Sequence, residues 1–201
     1  MRILSLDLSS ARGSITFLDG NKIHFDREWP NDRKNSGPFF EHVAEVQKEF
    51  GKADTIIVGL GPGSYAGTRI AISAAIGLQT ASYARLIGYP SICAMDCNSS
   101  EYCVIGDARR NSFFYVRVSD RNLAEGPTLM SEAELQQKLA RLDRKMSVLT
   151  PERLSKFERA ELRYPSARVL ARLAAHSKRQ FVQPPLEPMY LREPNITIPR
   201  K

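Results

Sequence analysis

Residues 61–70, GPGSYAGTRI, lie between a continuous apolar run at 55–60 and a long segment that is almost free of charge. An uninterrupted β-branched run is typical of a strand buried on both faces, so residues 55–60 are predicted to form such a strand. Residues 68–84 are predicted to form a helix. The turn between them is either a phosphate cradle or a hinge that lets the helix pack tightly.

Nucleotide-binding motifs describe this turn poorly. The letters GPGSYA satisfy GxGxxA between a strand and a helix, but a dinucleotide site expects an acidic residue about twenty positions later, and residues 55–95 contain none. A Walker A loop would need a lysine after its last glycine. We therefore expect Gly61 and Gly63 to allow positive φ or close backbone approach while Pro62 stiffens the turn. Anion binding at the helix N-terminus stays open as a secondary alternative.

The predicted helix at 68–84 carries small side chains in two rows. One row is Gly67, Ala71 and Ala75, and the other is Ser73, Gly77 and Ala81. Small rows let helix backbones approach closely, and a helix whose only charge is Arg69 has to be covered on most sides. Core burial accounts for part of this pattern, and a partner surface is expected to account for the rest.

The remaining segments predict a chain in two halves that each begin with a β-hairpin and continue with helices. The predicted strands are 3–8, 14–18, 22–27, 90–95, 102–108, 112–119 and 146–150. The predicted helices are 38–50, 131–142, one opening at Pro151, and 165–177. This rhythm hints at a duplicated fold, and the lobe boundary is placed between residues 96 and 97.

Composition indicates a globular protein without a membrane span. The chain has 201 residues, 42% of them apolar, and no purely apolar run of 18 residues. Its first residues lack a basic leader with a long apolar core, so the expected compartment is the cytoplasm. The three cysteines and three histidines are not spaced as zinc ligands, and we expect reduced, partly buried thiols and no metal site.

Positive charge is concentrated in the second half of the chain. Residues 102–201 contain 19 Lys/Arg and 11 Asp/Glu, whereas residues 1–101 contain 10 and 11. Such asymmetry favours a polyanionic partner such as tRNA, gripped in that case by Arg141, Arg144, Lys145, Arg168, Arg172 and Arg179. A solvated basic surface is an equally good interpretation, because no stretch interleaves aromatic and basic residues as a single-strand platform would.

Five blocks along the chain resemble the bacterial TsaB proteins, also called YeaZ. The glycine-rich GLGPGSYAGTRI is similar to their GPGSFTGLRIG signature, and ILSLDLSS, VIGDARRNSFFYV, YPSARVLARLA and EPMYLRE resemble further blocks in the same order. The resemblance implies an α/β, actin-like ATPase (ASKHA) fold of two lobes, each with a mixed sheet and helices. It also implies a role in building threonylcarbamoyladenosine next to the tRNA anticodon.

In that family the TsaB-like subunit is not thought to perform the chemistry. It pairs with the related catalytic subunit TsaD, which binds ATP and metal, and a TsaE-like ATPase joins the pair; without a partner, a homodimer is left open. The pairing surface is formed largely by first-lobe helices. The corresponding candidates in this chain are Phe39, Phe40, Val43, Val46, Gly61, Gly63, Gly67, Ala71 and Ala75.

The resemblance also indicates which catalytic features are missing. The catalytic relative carries two histidines four residues apart, and the matching positions here are Asp96 and Ser100. Asp7 keeps the acidic residue of the first phosphate loop, but Ser9 replaces the usual glycine, so both are weak candidates for contacting a nucleotide. We expect no catalytic residues and no cofactor of its own. The rival hypothesis is an enzyme, either an actin-fold phosphotransferase or ATPase, or the M22-type glycopeptidase by which such proteins were once described.

Overall fold

The computed structural model describes residues 1–31, 36–176 and 179–192, and it contains two mixed five-stranded sheets. The strands and helices of the first part are β1 (Arg2–Asp7), β2 (Arg12–Asp19), β3 (Lys22–Pro30), α1 (Gly37–Phe50), β4 (Thr55–Gly59), α2 (Tyr65–Ser82) and β5 (Arg85–Tyr89). Those of the second are β6 (Glu101–Asp107), β7 (Ser112–Ser119), β8 (Asn122–Ser131), α3 (Glu132–Arg141), β9 (Ser147–Thr150), β10 (Ala160–Leu162) and α4 (Ala167–Ala174).

Both sheets have the same topology. The strand order is β3-β2-β1-β4-β5 in the first sheet and β10-β9-β6-β7-β8 in the second. Each has an antiparallel meander of three strands, and the first strand of that meander pairs in parallel with the fourth strand. The predicted fold class, α/β with a mixed sheet in each lobe, is confirmed. The same strand order in both sheets agrees with the duplicated fold suggested by the order of predicted strands and helices.

Alternating side chains along the strands place helices on both sides of each sheet. In the first lobe, Leu4 and Val58 face α1 and α2, whereas Ile3 and Ile57 face a core shared with the second sheet. That shared core contains α4 through Leu170 and several neighbours. Helix α3 lies on the far face of the second sheet, where its leucines pack with residues of β6 and β7. Helix α4 therefore fills the space between the two sheets.

Two serines of the first sheet fix the start of α4. The Ser5 hydroxyl donates to the carbonyl of Ala167 at 2.6 Å, and the backbone N–H of Ala167 donates to Ser14 Oγ at 2.9 Å. These buried hydrogen bonds satisfy backbone groups at the point where the helix begins. They attach a helix from the second half of the chain to β1 and β2.

Several predicted elements differ from the structure. The strand predicted at 90–95 lies earlier, at β5, and the run after Pro90 forms a 3₁₀ turn, Ser91–Ala94. A short buried apolar run is compatible with both a strand and a helical turn, so its periodicity does not distinguish the two. The helix predicted to open at Pro151 is not formed; the chain turns there and continues into β10.

The exposed edge strand β8 was missed. Its sequence, NLAEGPTLMS, contains Gly126-Pro127, which reads as a turn, and nearly all its residues are exposed. The pairing with β7 shifts register beside this dipeptide. Interruptions of this kind are a common property of edge strands.

The cysteines are reduced, as expected. Cys93 and Cys103 are buried and Cys97 is partly buried. Within the described ranges, no helix combines the length and the apolar character that crossing a membrane requires.

Removing the Leu170 side chain is expected to lower the free energy of unfolding by about 2–5 kcal/mol, because it leaves a cavity between the two sheets. The matched control is Leu129→Ala on β8, where the side chain is already 38% exposed; the control is expected to change stability by less than about 1 kcal/mol. Urea unfolding of Leu170→Ala and Leu129→Ala measures both. Equal losses would contradict the placement of α4.

Candidate functional site

A cleft of about 490 Å³ lies where the two lobes meet. Its lining includes the β1–β2 turn, the glycine-rich loop before α2, the β6–β7 turn, the turn after β9 that contains Glu152, and the C-terminal segment. The residues that matter below are Ser9, Gly63, Tyr65, Arg109, Glu152 and Arg192. A cleft between domains is a common position for a ligand site, and the groups available in this cleft decide whether it suits a nucleotide.

The glycine-rich loop is pressed against the β1–β2 turn. The N–H of Ser64 donates to the carbonyl of Ser9 at 2.6 Å. A Cβ on Gly63 would lie 2.0 Å from that same carbonyl oxygen, and a Cβ on Gly67 would lie 2.1 Å from the carbonyl oxygen of Leu8. Both glycines are therefore required for close backbone approach. Of the two alternatives that its sequence left open, these contacts support a hinge that lets α2 pack tightly.

The start of α2 has part of its hydrogen-bonding capacity already used. The Ser64 side chain caps the helix by accepting the N–H of Gly67 at 3.2 Å. Gly61 has φ +89° and donates its N–H to Ser91 Oγ at 2.9 Å. These contacts stabilise the loop from within, and they remove amides that a phosphate would need.

Asp7 is fully buried behind this loop. Its Oδ1 accepts the backbone N–H of Ser9 at 2.8 Å and the Ser9 hydroxyl at 2.7 Å. Its Oδ2 lies against Gly59, where a Cβ would come within 1.8 Å, and it has no hydrogen-bond partner among the described residues. Burial raises the pKa of Asp7 above 3.8, and the nearby Ser91 and Ser9 hydroxyls oppose that shift.

The two weak nucleotide candidates, Asp7 and Ser9, contact each other at the β1–β2 turn. Asp7 is fully buried and does not line the cleft. Ser9 does line the cleft, but its hydroxyl is directed at Asp7 and its carbonyl is bound by Ser64. The pair acts as a structural unit of the β1–β2 turn.

On the opposite wall, charged groups satisfy one another. Arg109 pairs with Asp107 at 3.1 Å, and the backbone N–H of Asp107 donates to Glu152 Oε1 at 2.7 Å. Across the described ranges, no three His, Cys, Asp or Glu side chains are grouped as a metal ion would require.

Most residues expected at a partner interface are in the protein's own core. Phe39, Val43, Val46, Gly61, Gly67, Ala71 and Ala75 are all buried, whereas Phe40 is 50% exposed and Gly63 is exposed. Seven of the nine expected interface residues thus pack inside the first lobe in this structure. The Gly67 row continues from a loop that is pressed onto β1, so that row must face the sheet.

The opposite row of α2 is the one that faces outward. Ser73, Gly77 and Ala81 are exposed, together with Thr80 and with Ile76 at 45%. A Cβ on Gly77 would meet no atom within 4 Å, so nothing in the described chain requires a glycine there. Glycine in a helix interior costs about 1 kcal/mol relative to alanine. This apolar, small-residue face suits a second helix at short distance.

The six predicted tRNA-binding residues do not form one surface. Arg141, Arg144 and Lys145 are exposed near the end of α3, on the far side of the second sheet from α4. On α4, Arg168 pairs with Asp26, while Arg172 is exposed. Beyond α4, Arg179 donates to the hydroxyl of Tyr89 at 2.9 Å and to neighbouring acceptors. Arg168 and Arg179 therefore join parts of this chain.

Sequence reasoning missed one further group, a pair of tyrosines at the mouth of the cleft. The rings of Tyr65 and Tyr190 lie 5.3 Å apart, and Arg69 donates to the hydroxyl of Tyr65 at 2.8 Å. Tyr190 belongs to the EPMYLRE block, which the sequence analysis used only for its resemblance to the family. Residues so far apart in sequence give no periodic signal of their contact.

The glycine positions make a paired stability prediction. Gly63→Ala is expected to lower the free energy of unfolding by about 1–3 kcal/mol, because the new methyl group meets a backbone carbonyl. Gly77→Ala is expected to raise it by up to about 1 kcal/mol through helix propensity. Urea unfolding of both variants is the measurement. A stabilising Gly63→Ala would contradict the close approach of loop and turn.

Asp7 makes a prediction about pH. Because folding raises its pKa, its contribution to stability is fully present below the ordinary value of 3.8 and is lost as the pH rises through the folded-state pKa. Asp7→Asn should therefore show a weaker loss of stability with rising pH and be at least as stable as the parent at pH 7. Thermal melts across pH 3–8, with the exposed Asp19→Asn as control, measure this. An unchanged pH profile in Asp7→Asn would refute it.

Comparison with known proteins places these features in a family. Residues 39–193 match the family model described as TsaD: tRNA N6-adenosine threonylcarbamoyltransferase. An uncharacterized protein of Mycobacterium leprae is 27% identical over 120 residues, which is 57% of this chain and 30% of that protein. An uncharacterized protein of Mycobacterium tuberculosis H37Rv shows the same identity over 57% of this chain and 51% of its own length. The matched region thus covers 30% of the first of these curated relatives and about half of the second.

Solved structures show the same fold over nearly the whole chain. YeaZ from Pseudomonas aeruginosa has a TM-score of 0.72 at 19% identity, covering 94% of this chain and 100% of that one. A second crystal structure, of an uncharacterized protein from P. aeruginosa with similarity to peptidase YeaZ, gives 0.72 at 20% identity, with coverage of 95% and 99%. The fold is the two-lobed actin-like fold that the resemblance implied. Since the family model spans well over half of the residues, the chain belongs to the TsaD family of tRNA N6-adenosine threonylcarbamoyltransferases.

Proposed function

We propose that this chain is a noncatalytic, TsaB-type subunit of the complex that builds threonylcarbamoyladenosine in tRNA. It holds a TsaD-like catalytic subunit through the outward face of α2. The observation that carries the proposal is Gly77, an exposed glycine inside an 18-residue helix that the chain's own packing does not explain. A partner helix at short distance would explain it, because only glycine lets two helix backbones approach so closely there.

The character of this face supports a protein partner. Between Arg69 and Arg85 the helix has no charged residue, and its exposed positions are small or apolar. An uncharged, half-exposed helix face is a poor solvated surface, and interface cores are depleted in charge. Pairing with a helix of similar character would cover Ile76 and use the small residues on either side of it.

Magnitudes show that this face cannot be the whole interface. Burying the remaining half of Ile76 contributes about 1 kcal/mol, and the half-exposed Phe40 would contribute a similar amount. Association costs at least about 4 kcal/mol in lost freedom of motion. The partner must therefore contact more than this helix, and Phe40 on α1 is the large side chain of the original interface set that remains exposed.

The noncatalytic assignment rests on how the cleft groups are used. A general base, a metal ligand or a phosphate-binding group must be free to meet a substrate. Here Asp7 is buried, the hydroxyl and the carbonyl of Ser9 are both hydrogen-bonded, and Arg109 forms an ion pair with Asp107. We propose that ATP and metal are held by the partner subunits, that a TsaE-like ATPase joins through the complex, and that the complex works in the cytoplasm.

Two parts of the earlier hypothesis remain proposals of lower rank. Direct tRNA contact would have to come from the exposed arginines near the end of α3, and it predicts binding that weakens steeply with salt. The same α2 face could pair with a second copy of this chain when the catalytic subunit is missing.

The enzyme hypothesis predicts ATP turnover by the purified chain that Asp7→Ala abolishes.

Gly77→Glu is expected to abolish co-purification with a TsaD-like subunit, because it places a charge and a long side chain on a face that requires close approach. The isolated variant should stay folded, since the new side chain projects into open space. The measurement is a pull-down with purified TsaD-like protein, alongside circular dichroism of the variant.

Gln136→Glu, an equally exposed change on α3, is the matched control and should leave binding intact. Retained binding by Gly77→Glu would move the interface elsewhere. Substitution of Ala71 or Ala75 is unsuitable for this test, because a buried glutamate would unfold the lobe.

A further inference from the structure

Helix α2 ends in a residue that the packing of the chain does not explain. Tyr83 caps the helix in the left-handed region, with φ 59° and ψ 24°, and its N–H donates to the carbonyl of Gln79 at 2.7 Å. That region suits glycine, because any side chain on the residue crowds its own backbone there. Helices that end in this conformation usually have glycine at this position, so a tyrosine here lowers stability.

Little of the Tyr83 ring is covered by the rest of the chain. It is 91% exposed, the largest exposed fraction among the large apolar side chains that the structure describes. The backbone on its far side is fixed, since the N–H of Ala84 donates to Ser82 Oγ at 3.3 Å and that of Arg85 donates to the carbonyl of Asp54 at 2.9 Å. A residue with both a strained backbone and an exposed ring indicates a role outside the fold.

Tyr83 lies at the C-terminal end of the outward face of α2. The exposed positions Ser73, Gly77 and Thr80 recur at intervals of three or four residues, and Tyr83 continues that series. At 1.5 Å per residue it lies about 9 Å along the helix axis from Gly77, where a partner helix would come closest. Crossing helices diverge from their point of closest contact, so the gap beside Tyr83 leaves room for an aromatic side chain.

Charge indicates what kind of partner fits this face. Arg69 and Arg85 lie near its two ends, and neither forms an ion pair with a described residue. Gly77 is midway between them in sequence, so two copies paired antiparallel about Gly77 would bring Arg69 of one copy near Arg85 of the other. Like charges placed opposite one another disfavour association. The face therefore fits a different protein, with carboxylates near both ends of a small-sided helix.

We propose that Tyr83 is the anchor of this interface: its ring enters a pocket of the TsaD-like subunit beside the helix that packs on Gly77. This inference rests on the proposed function and adds the residue on which the affinity of the face depends most. A tyrosine buries a large area while only two side-chain torsions are ordered. Because the hydrogen bonds around Tyr83 already fix its backbone, little further order is lost on binding. The ring thus supplies affinity that Ile76 and Phe40 are too few to provide.

The test compares three substitutions of Tyr83 in the full chain by titration calorimetry with the purified TsaD-like subunit. Tyr83→Ala is expected to raise Kd at least about 30-fold, the loss typical of an interface anchor. Tyr83→Phe keeps the ring and should bind within about tenfold of the parent. Tyr83→Gly removes the ring and relieves the backbone, so it should bind as weakly as Tyr83→Ala while its melting temperature stays at or above that of the parent.

Leu123→Ala, which removes a partly exposed apolar side chain from β8, is the matched control and should leave Kd unchanged. Arg85→Glu should weaken binding by a factor that falls as salt is added, because it reverses a charge expected to face a carboxylate. Tighter binding by Arg85→Glu would contradict the acidic character assigned to the partner.

Unchanged binding by Tyr83→Ala and Tyr83→Gly, with binding lost in Gly77→Glu, would overturn the anchor and leave the proposed function standing. Unchanged binding by all three variants would contradict both. Sedimentation of the isolated chain separates the possible occupants of the face. If Tyr83→Ala abolished a self-association and left Kd for the TsaD-like subunit unchanged, the anchor would belong to a contact between two copies and the proposal would be wrong.

Discussion

The backbone of the glycine-rich loop touches the backbone of the β1–β2 turn, and much of the first lobe follows from that contact. The Ser64 N–H reaches the Ser9 carbonyl, and the missing side chains of Gly63 and Gly67 make room for the carbonyls of Ser9 and Leu8. This contact fixes the position and rotation of α2. The Gly67 row is thereby turned into the core, and the Gly77 row is turned outward.

The same contact supports the proposed noncatalytic role. In closing on the turn, the loop covers Asp7, whose burial raises its pKa and leaves it without access to the cleft. Ser9 is used to bind Asp7 and the loop, and the opposite wall pairs Arg109 with Asp107. A member of a transferase family whose cleft groups satisfy one another fits the proposed role of a scaffold for a catalytic relative.

Sequence reasoning predicted the architecture well and the surfaces poorly. Apolar patterns placed β1 to β4, α1, α2, β6, β7 and α3 close to their observed bounds, because their apolar residues either recur with the period of a strand or helix or, as in β4, form one continuous buried run. It missed β8, whose residues are exposed, and it misplaced β5, because a short apolar run has no distinguishing period. The contact of Tyr190 with Tyr65 depends on the path of the whole chain, which local patterns do not encode.

The interface prediction shows the same limit. Two rows of small residues on α2 were recognised, but their spacing alone could not say which row faces the sheet. The glycines preceding the helix contained that information, since a loop pressed onto β1 forces the row continuing from Gly67 inward. Likewise, charge counts grouped six basic residues that the fold places on different sides of the second sheet.

The central claim is that this protein acts through the outward face of α2 and not through its cleft. The most direct measurement is the threonylcarbamoyladenosine content of tRNA, by mass spectrometry, from cells whose own copy is replaced by Gly77→Glu or by Asp7→Asn. The account predicts that Gly77→Glu loses the modification while Asp7→Asn retains it. Loss in Asp7→Asn with normal levels in Gly77→Glu would contradict it.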